Sequence, residues 1–224
     1  AGLVITKTDH PSAPPLPTVF GGHPLPTAQS VQAAHALQQL IARPLPPNGS
    51  WLVLLTGGGS ALLTAPTPPL TLEDLQATTA VLLACGASIN QLNAVLKHLS
   101  QVAGGQLARQ LAPAPVQVLV LSDVIGNPLD VIASGPLTPD PTTFADCADL
   151  LDQFDLWAQL PTSVIQHIRA GVAGHPPETP KPGDPIFEHV RHILIGDITH
   201  AVQAAAHAAQ LLGFAVQVAT EPLV

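Results

Sequence analysis

The chain has 224 residues, of which 46% are hydrophobic and 10% charged, and its formal net charge is −8 with the ten histidines counted as neutral. Its seven lysines and arginines form no basic run, which argues against nucleic acid as a partner, because binding to phosphates needs clustered cations. No run of roughly 18 apolar residues indicates a membrane span, and Cys85 and Cys147 show no CxxC spacing. We therefore expect a reduced, cytoplasmic protein that contacts neither nucleic acid nor membrane.

Strand and helix patterns alternate along the chain. Apolar runs predict strands over residues 1–6, 51–56, 116–121, 189–195 and 214–219. Capping signals and helical periodicity predict helices over residues 28–42, 72–85, 89–99, 106–112, 142–154, 161–170 and 199–212. This alternation implies a parallel sheet with right-handed crossovers. The predicted fold is a three-layer, mostly parallel, Rossmann-like α/β sheet with helices on both faces.

The stretch WLVLLTGGGSALL, from Trp51 to Leu63, passes from a predicted buried strand through three glycines to a predicted helix start near Ser60. Consecutive glycines leave main-chain N–H groups open to a ligand, and a helix start favours an anion. The spacing matches neither a Walker A loop nor a dinucleotide fingerprint, and the nucleophile elbow lacks its second glycine. We interpret the loop as an anion site, most simply for phosphate; the alternative is a tight turn that needs glycine for geometry alone.

Asp123 lies just after the strand predicted over residues 116–121. In open α/β sheets, ligands bind beyond the carboxyl ends of the strands, which is where Asp123 is placed. A carboxylate facing a phosphate is useful if it holds Mg²⁺ or accepts a proton from a substrate hydroxyl. The alternative is that Asp123 only caps a turn or helix.

Few cations are available to such a site. Lys97, near a predicted helix end, could bind a phosphate, or could simply be a solvated lysine at the C-terminal dipole. Lys181 lies in a stiff proline-rich loop that could deliver a charge, and His98 could act as a base or be a structural histidine. The remaining histidines form no HExxH or similar zinc-binding set.

Several of these segments occur together in the order of one known family. They are residues 22–26, 56–62, 93–100, 104–105, 122–126, 132–136, 139–143 and 179–184. With these motifs the chain resembles the class II glycerate 2-kinases, whose second domain is called MOFRL.

The resemblance implies ATP-dependent phosphorylation of D-glycerate at its 2-hydroxyl, with Mg²⁺, in a cleft between two α/β domains. It implies catalytic roles for Asp123 and Lys97, with Asp123 also the metal ligand. The substrate and nucleotide would be bound by Gly57, Gly58, Gly59, Ser60, Ser134 and Gly135. It leaves a homodimer open.

The chain departs from the family pattern at three motif positions. Leu96 replaces the arginine usual before the Lys-His pair, Asn127-Pro128 replaces an acidic pair, and Thr27 replaces an acid. A lysine-bearing segment would precede Ala1 and the MOFRL domain would follow Val224. We therefore expect residues 1–224 to be the core of the N-terminal domain, and the chain alone not to be a competent kinase.

Two other functions compete with the kinase interpretation. The first is a truncated or degenerate relative that binds an anionic ligand without catalysis. The second is a serine hydrolase that uses Ser60, His98 and Asp123, which the incomplete elbow and the order of the three residues disfavour.

Overall fold

The computed structural model describes residues 1–12 and 14–219, which form an α/β fold. Its strands are β1 (Val4–Lys7), β2 (Thr18–Gly21), β3 (Trp51–Thr56), β4 (Val116–Leu121) and β5 (Val190–Gly196). Its helices are α1 (Ala28–Ile41), α2 (Gly59–Leu62), α3 (Leu72–Ala84), α4 (Ile89–His98), α5 (Gln106–Leu111), α6 (Phe144–Gln153), α7 (Thr162–Val172) and α8 (Ile198–Leu211). No helix in these ranges is long and apolar enough to cross a membrane.

The strands form two parallel sheets, one of β1 and β2 and one in the order β3-β4-β5. In the larger sheet Trp51 pairs with Val116 and Thr56 with Leu121, so β3 and β4 begin and end in register. The carboxyl ends of these two strands therefore lie side by side, which brings the polar residues that follow them to one edge of the sheet.

The two larger of three apolar clusters in the described residues hold the helices and the sheet together. One lies against the sheet and includes the fully buried Val118 and Val120 of β4. The other joins α3, α4, α6 and α7 through side chains such as Leu82, Leu151 and Ile168. Burial of side chains of this size stabilises the fold by about 1.5–3 kcal/mol each.

One face of β3 is partly buried and the other is exposed. Its residues alternate in burial, and Leu52 and Leu54 are 60% and 69% exposed. The continuous apolar run led us to expect burial on both faces. The alternation arises because Trp51, Val53 and Leu55 pack on the sheet core, while no element of the described chain covers the opposite face at these leucines.

The predicted α/β class with parallel strands is confirmed, and two local predictions need correction. The strand predicted over 214–219 is not formed: these residues follow α8 without a strand partner, and Phe214 is 65% exposed. The helix predicted to start near Ser60 is a single four-residue turn, α2, so its dipole adds little to an anion site. Strand β2, which pairs with β1, was not predicted.

Candidate active site

The glycine loop and Asp123 meet at the edge of the sheet. Thr56 and Leu121 are paired at the ends of β3 and β4, so the residues that follow both strands lie at one edge of the sheet. We call the surface around residues 57–60 and Asp123 at this edge the crevice. A Cβ atom added to Gly57 would overlap the carboxylate of Asp123, so only glycine lets the acid approach this closely. Asp123 is exposed, and its carboxylate accepts no hydrogen bond from residues 1–12 or 14–219. A carboxylate oxygen is thus free to contact a ligand there.

The main-chain amides of the loop are also available. Within the described chain, the N–H groups of Gly57, Gly58, Gly59 and Ser60 donate to no protein acceptor. Gly58 has a φ of 78°, and the ring of His23 lies 3.1 Å from where a Cβ of Gly58 would be. His23, which belongs to the motif at residues 22–26, therefore lies beside the glycine loop.

Ser60 opens a chain of hydrogen bonds that runs into the protein. Its Oγ lies 2.8 Å from the Oγ of Ser134, and Ser134 donates to the Oδ1 of Asn93 at 2.7 Å. Ser60 is exposed, whereas Ser134 and Asn93 are 5% and 4% exposed. The structure thus brings together Ser60 and Ser134, and adds Asn93, the first residue of the motif at 93–100, for which no role was predicted from the sequence.

Ser134 lies in a strained segment. Ala133, Ser134 and Gly135 have φ values of 52°, 59° and 58°, all in the left-handed region. Main-chain hydrogen bonds hold the segment, because Gly104 donates to the Ser134 carbonyl at 2.9 Å and Gly105 donates to the Gly135 carbonyl at 2.8 Å. Left-handed conformations at non-glycine residues cost free energy, so the segment persists because these hydrogen bonds hold it. The predicted binding role of Ser134 and Gly135 stays a prediction.

Lys97 is buried between two carboxylates. It is 3% exposed, and its Nζ lies 3.5 Å from Asp140 and 3.7 Å from Asp130. Asp140 is fully buried, and it also accepts hydrogen bonds from Thr142 and Thr179. The structure therefore places Lys97 behind the Ser134 segment, paired with acids, and its predicted contact with a phosphate stays a prediction.

His98 is engaged at both ring nitrogens. Its Nδ1 lies 2.7 Å from the carbonyl oxygen of Ala94, and its Nε2 lies 3.1 Å from the carboxylate of Glu178. Although burial raises the pKa of Glu178, hydrogen bonds from the Phe144 amide, Lys181 and His98 hold that pKa below its usual value. Since neither nitrogen is directed to Ser60, the geometry argues against a hydrolase that uses His98 as its base.

Lys181 fastens the proline-rich loop rather than projecting into the crevice. Its Nζ donates to the carbonyl of Thr142 and to Thr179, and it pairs with Glu178 at 3.0 Å. The loop is further tied down by the hydrogen bond from the Asp140 amide to the carbonyl of Pro180. The loop thus closes over Asp140, the buried partner of Lys97.

The third strand contributes an acid that sequence reasoning missed. Asp197 follows β5 and caps α8, and its pKa is lowered to about 2 by hydrogen bonds from the His200 amide, the His200 ring and Asn127. Asn127 donates to Asp197 at 2.9 Å from a left-handed position with a φ of 53°. The amide at position 127 therefore ties the loop that begins at Asp123 to the start of α8. Asp197 could have been found from the sequence, because it comes just after a predicted strand and three residues before His200.

Comparison with known proteins identifies the family. The model for the family described as Domain of unknown function (DUF4147) matches residues 1–169. Glycerate 2-kinase of Pyrococcus horikoshii is 38% identical over 223 residues, which are 99% of this chain and 50% of that protein. D-glycerate 2-kinase of Thermotoga maritima is 37% identical over 224 residues, with the same two coverages. Rat glycerate kinase is 44% identical over 191 residues, which are 85% of this chain and 35% of that protein.

Comparison with solved structures finds the same family as the sequence comparison. A glycerate kinase structure from Thermotoga maritima has a TM-score of 0.81 at 38% identity, covering 95% of this chain and 49% of that one. The chain spans about half the length of the curated relatives it matches. Because the family model covers more than half of the chain, the chain belongs to the DUF4147 family, and its resemblance to the glycerate 2-kinases is confirmed.

Proposed function

We propose that this chain forms the substrate and nucleotide cleft of an ATP-dependent kinase that phosphorylates the 2-hydroxyl of D-glycerate. The observation that carries the proposal is the exposed carboxylate of Asp123 lying directly on Gly57, beside main-chain amides with no acceptor in the described chain. Phosphoryl transfer depends on positioning and charge stabilisation, for which a base next to a row of N–H donors is suited. The substrate class is supported by relatives that are named glycerate kinases.

In this proposal Asp123 is the proton acceptor. The 2-hydroxyl oxygen forms a bond to the terminal phosphorus of ATP, the bond from that phosphorus to the bridging oxygen breaks, and ADP leaves. The hydroxyl proton passes to the Asp123 carboxylate, while the amides of Gly57, Gly58 and Gly59 bind oxygens of the transferred group. His23 and the exposed Ser60 shape the remaining walls, and the buried Ser134 supports Ser60 from within the protein.

The residues at the crevice fit a nucleotide-bound Mg²⁺. No group of three His, Cys, Asp or Glu residues able to hold a metal occurs in residues 1–12 and 14–219. Mg²⁺ is, however, usually held by one or two carboxylates together with substrate phosphates, and Asp123 offers one exposed carboxylate. Asp123 is therefore the residue that would hold it, and the ion would neutralise phosphate charge when bound.

We also propose that residues 1–224 form the core of the N-terminal domain of such a kinase. The relatives are about twice as long, so a cleft between two domains would draw part of its lining from outside this chain. The chain by itself is then expected to bind ligands without sustained turnover. A reducing compartment, the cytoplasm, is consistent with Cys85 and Cys147 both being free thiols.

Two measurements on the chain test this proposal. Calorimetry with ATP–Mg²⁺ and with D-glycerate should give binding, and a coupled assay for ADP release should give little turnover.

Asp123→Asn should weaken binding of ATP–Mg²⁺, and Gly57→Ala should weaken it further because its Cβ displaces the carboxylate. Gly2→Ala is the control, since its Cβ meets only the flexible end of Leu16 at 3.0 Å. Unchanged ATP–Mg²⁺ affinity in both site variants would refute the proposed cleft.

A non-catalytic anion-binding relative is the second candidate, and the environment of Lys97 favours it. Its ammonium group is already paired with Asp130 and Asp140, so it presents no unpaired positive charge to a phosphate. The two candidates differ in one measurement. ADP released in proportion to D-glycerate, from this chain or from a protein of the relatives' length that contains it, identifies a kinase, whereas binding heat without product in both identifies the binder.

A further inference from the structure

The hydrogen bonds between Ser60, Ser134 and Asn93 have a fixed direction. A serine hydroxyl carries one hydrogen, and an amide oxygen can only accept. Because Ser134 donates its hydrogen to the Oδ1 of Asn93, its oxygen must accept at the 2.8 Å contact with Ser60. The hydrogen of Ser60 therefore points into the protein, and the lone pairs left on Ser60 face the crevice.

The buried residues Ser134 and Asn93 set the direction of these hydrogen bonds. Asn93 and Ser134 are almost completely buried, and Ser134 is further fixed by its amide, which donates to the carbonyl of Val131 at 2.9 Å. Turning the hydrogen of Ser134 towards Ser60 would leave the Asn93 oxygen buried without a donor, which is unfavourable. Ser60, exposed at the other end, has no such constraint of its own.

We propose that Ser60 acts towards a ligand as a hydrogen-bond acceptor, so that this wall of the cleft selects a ligand hydroxyl over an ionised phosphate oxygen. An ionised phosphate oxygen has no hydrogen to give, so phosphate is left to the glycine amides. Ser134 and Asn93 are positioning residues, which act through Ser60 without touching the ligand. The choice of a hydroxy acid as ligand rests on the proposed function, whereas the direction of the hydrogen bonds does not.

The size of the effect follows from the kind of bond. One neutral hydrogen bond at a partly exposed position changes an affinity by about 3- to 10-fold. The probes are D-glycerate, D-lactate, which lacks the 3-hydroxyl, 3-hydroxypropanoate, which lacks the 2-hydroxyl, and inorganic phosphate. Titration calorimetry of the chain should show D-glycerate favoured about 3- to 10-fold over one of the two deoxy acids.

The variants separate contact from positioning. Ser60→Ala should abolish the preference for D-glycerate. Ser134→Ala frees the hydrogen of Ser60, so the preference should fall while inorganic phosphate binds more tightly. Asn93→Asp keeps an acceptor and should retain the preference, whereas Asn93→Leu should lose it. Thr79→Val is the control, because it removes a hydroxyl that only donates to a carbonyl within α3.

A measurement without ligand completes the test. In NMR spectra recorded in mixed H₂O and D₂O, a slowly exchanging hydroxyl splits the ¹³Cβ signal of its serine. We expect this splitting for Ser134 in the wild type and in Asn93→Asp. We expect the splitting to be lost in Asn93→Leu. If D-glycerate fails to bind while the splitting and the gain in phosphate affinity are seen, the proposed function fails and the inference stands. Absence of the splitting, weaker phosphate binding by Ser134→Ala, or no binding of any probe would overturn the inference.

Discussion

Replacing Asp140 by asparagine tests whether a buried acid holds Lys97 in place. Asp140 is fully buried, accepts from the amide and hydroxyl of Thr142 and the hydroxyl of Thr179, and lies 3.5 Å from the Lys97 ammonium. Asparagine keeps the volume but removes the charge. Lys97 would then be left with Asp130, whose side chain is 43% exposed and whose contact is longer, at 3.7 Å.

The expected loss is large, because removing one partner of a buried ion pair leaves the other charge uncompensated. Losses of this kind are about 3–5 kcal/mol, which in a chain of this length lowers Tm by roughly 6–20 °C. Urea unfolding followed by circular dichroism measures the loss. Asp130→Asn is the matched control, since it removes the exposed partner of the same lysine and should destabilise by no more than about 1 kcal/mol.

A double variant shows whether the effect passes through Lys97. Lys97→Met combined with Asp140→Asn removes both charges, so it should be more stable than the sum of the two single losses by about 1–3 kcal/mol. A loss below about 1 kcal/mol in Asp140→Asn, or strict additivity in the double variant, would show that the pair is not buried as the geometry indicates.

Three further predictions concern a thiol, an acid and the open sheet face. Burial raises the pKa of the Cys147 thiol, so a thiol reagent should modify only Cys85 in the native chain and both in urea; rapid native modification of Cys147 would contradict this. Hydrogen bonds from the His200 amide and ring help lower the folded pKa of Asp197 to about 2, below the ordinary value of 3.8 for an aspartate. Its stabilising contribution is therefore present above about pH 4 and lost as the pH falls through 2, and the Tm deficit of Asp197→Asn should shrink over that window. Because Leu54 is 69% exposed, Leu54→Lys should change the unfolding free energy of this chain by no more than about 0.5 kcal/mol, and a larger loss would mean that the face is covered.

Local signals predicted most of the elements. The helices predicted over 89–99 and 142–154 form as α4 and α6. The side chains of Ser88 and Thr143 cap them, and each accepts a hydrogen bond from the third residue of its helix. Strand signals were weaker, because a strand forms only with a partner. Residues 214–219 are as apolar as β3 but pair with nothing in the described chain, while the four residues of β2 form a strand because β1 lies beside them.

The part of the site that lies at the ends of neighbouring strands could be predicted from the sequence. Gly57 and Asp123 follow two strands whose ends are in register, so a parallel sheet brings them together. The environment of Lys97 was not predictable, because its buried partner Asp140 is 43 residues away and nothing in either local pattern links them. The same holds for Asn93, which is 41 residues from Ser134.

The helices behind the sheet, and not the sheet itself, fix the direction of Ser134. Left-handed conformations at Ala133 and Ser134 each cost about 1–3 kcal/mol, so they persist only where the surroundings require them. The surroundings here are the amides of Gly104 and Gly105, between α4 and α5, and the side chain of Asn93 on α4. Lys97 lies one turn after Asn93 on the same helix, and its Cβ would be 3.0 Å from a Cβ added to Gly104. A shift of α4 would therefore disturb the orientation of Ser60, through Ser134, together with the charge pairing of Lys97.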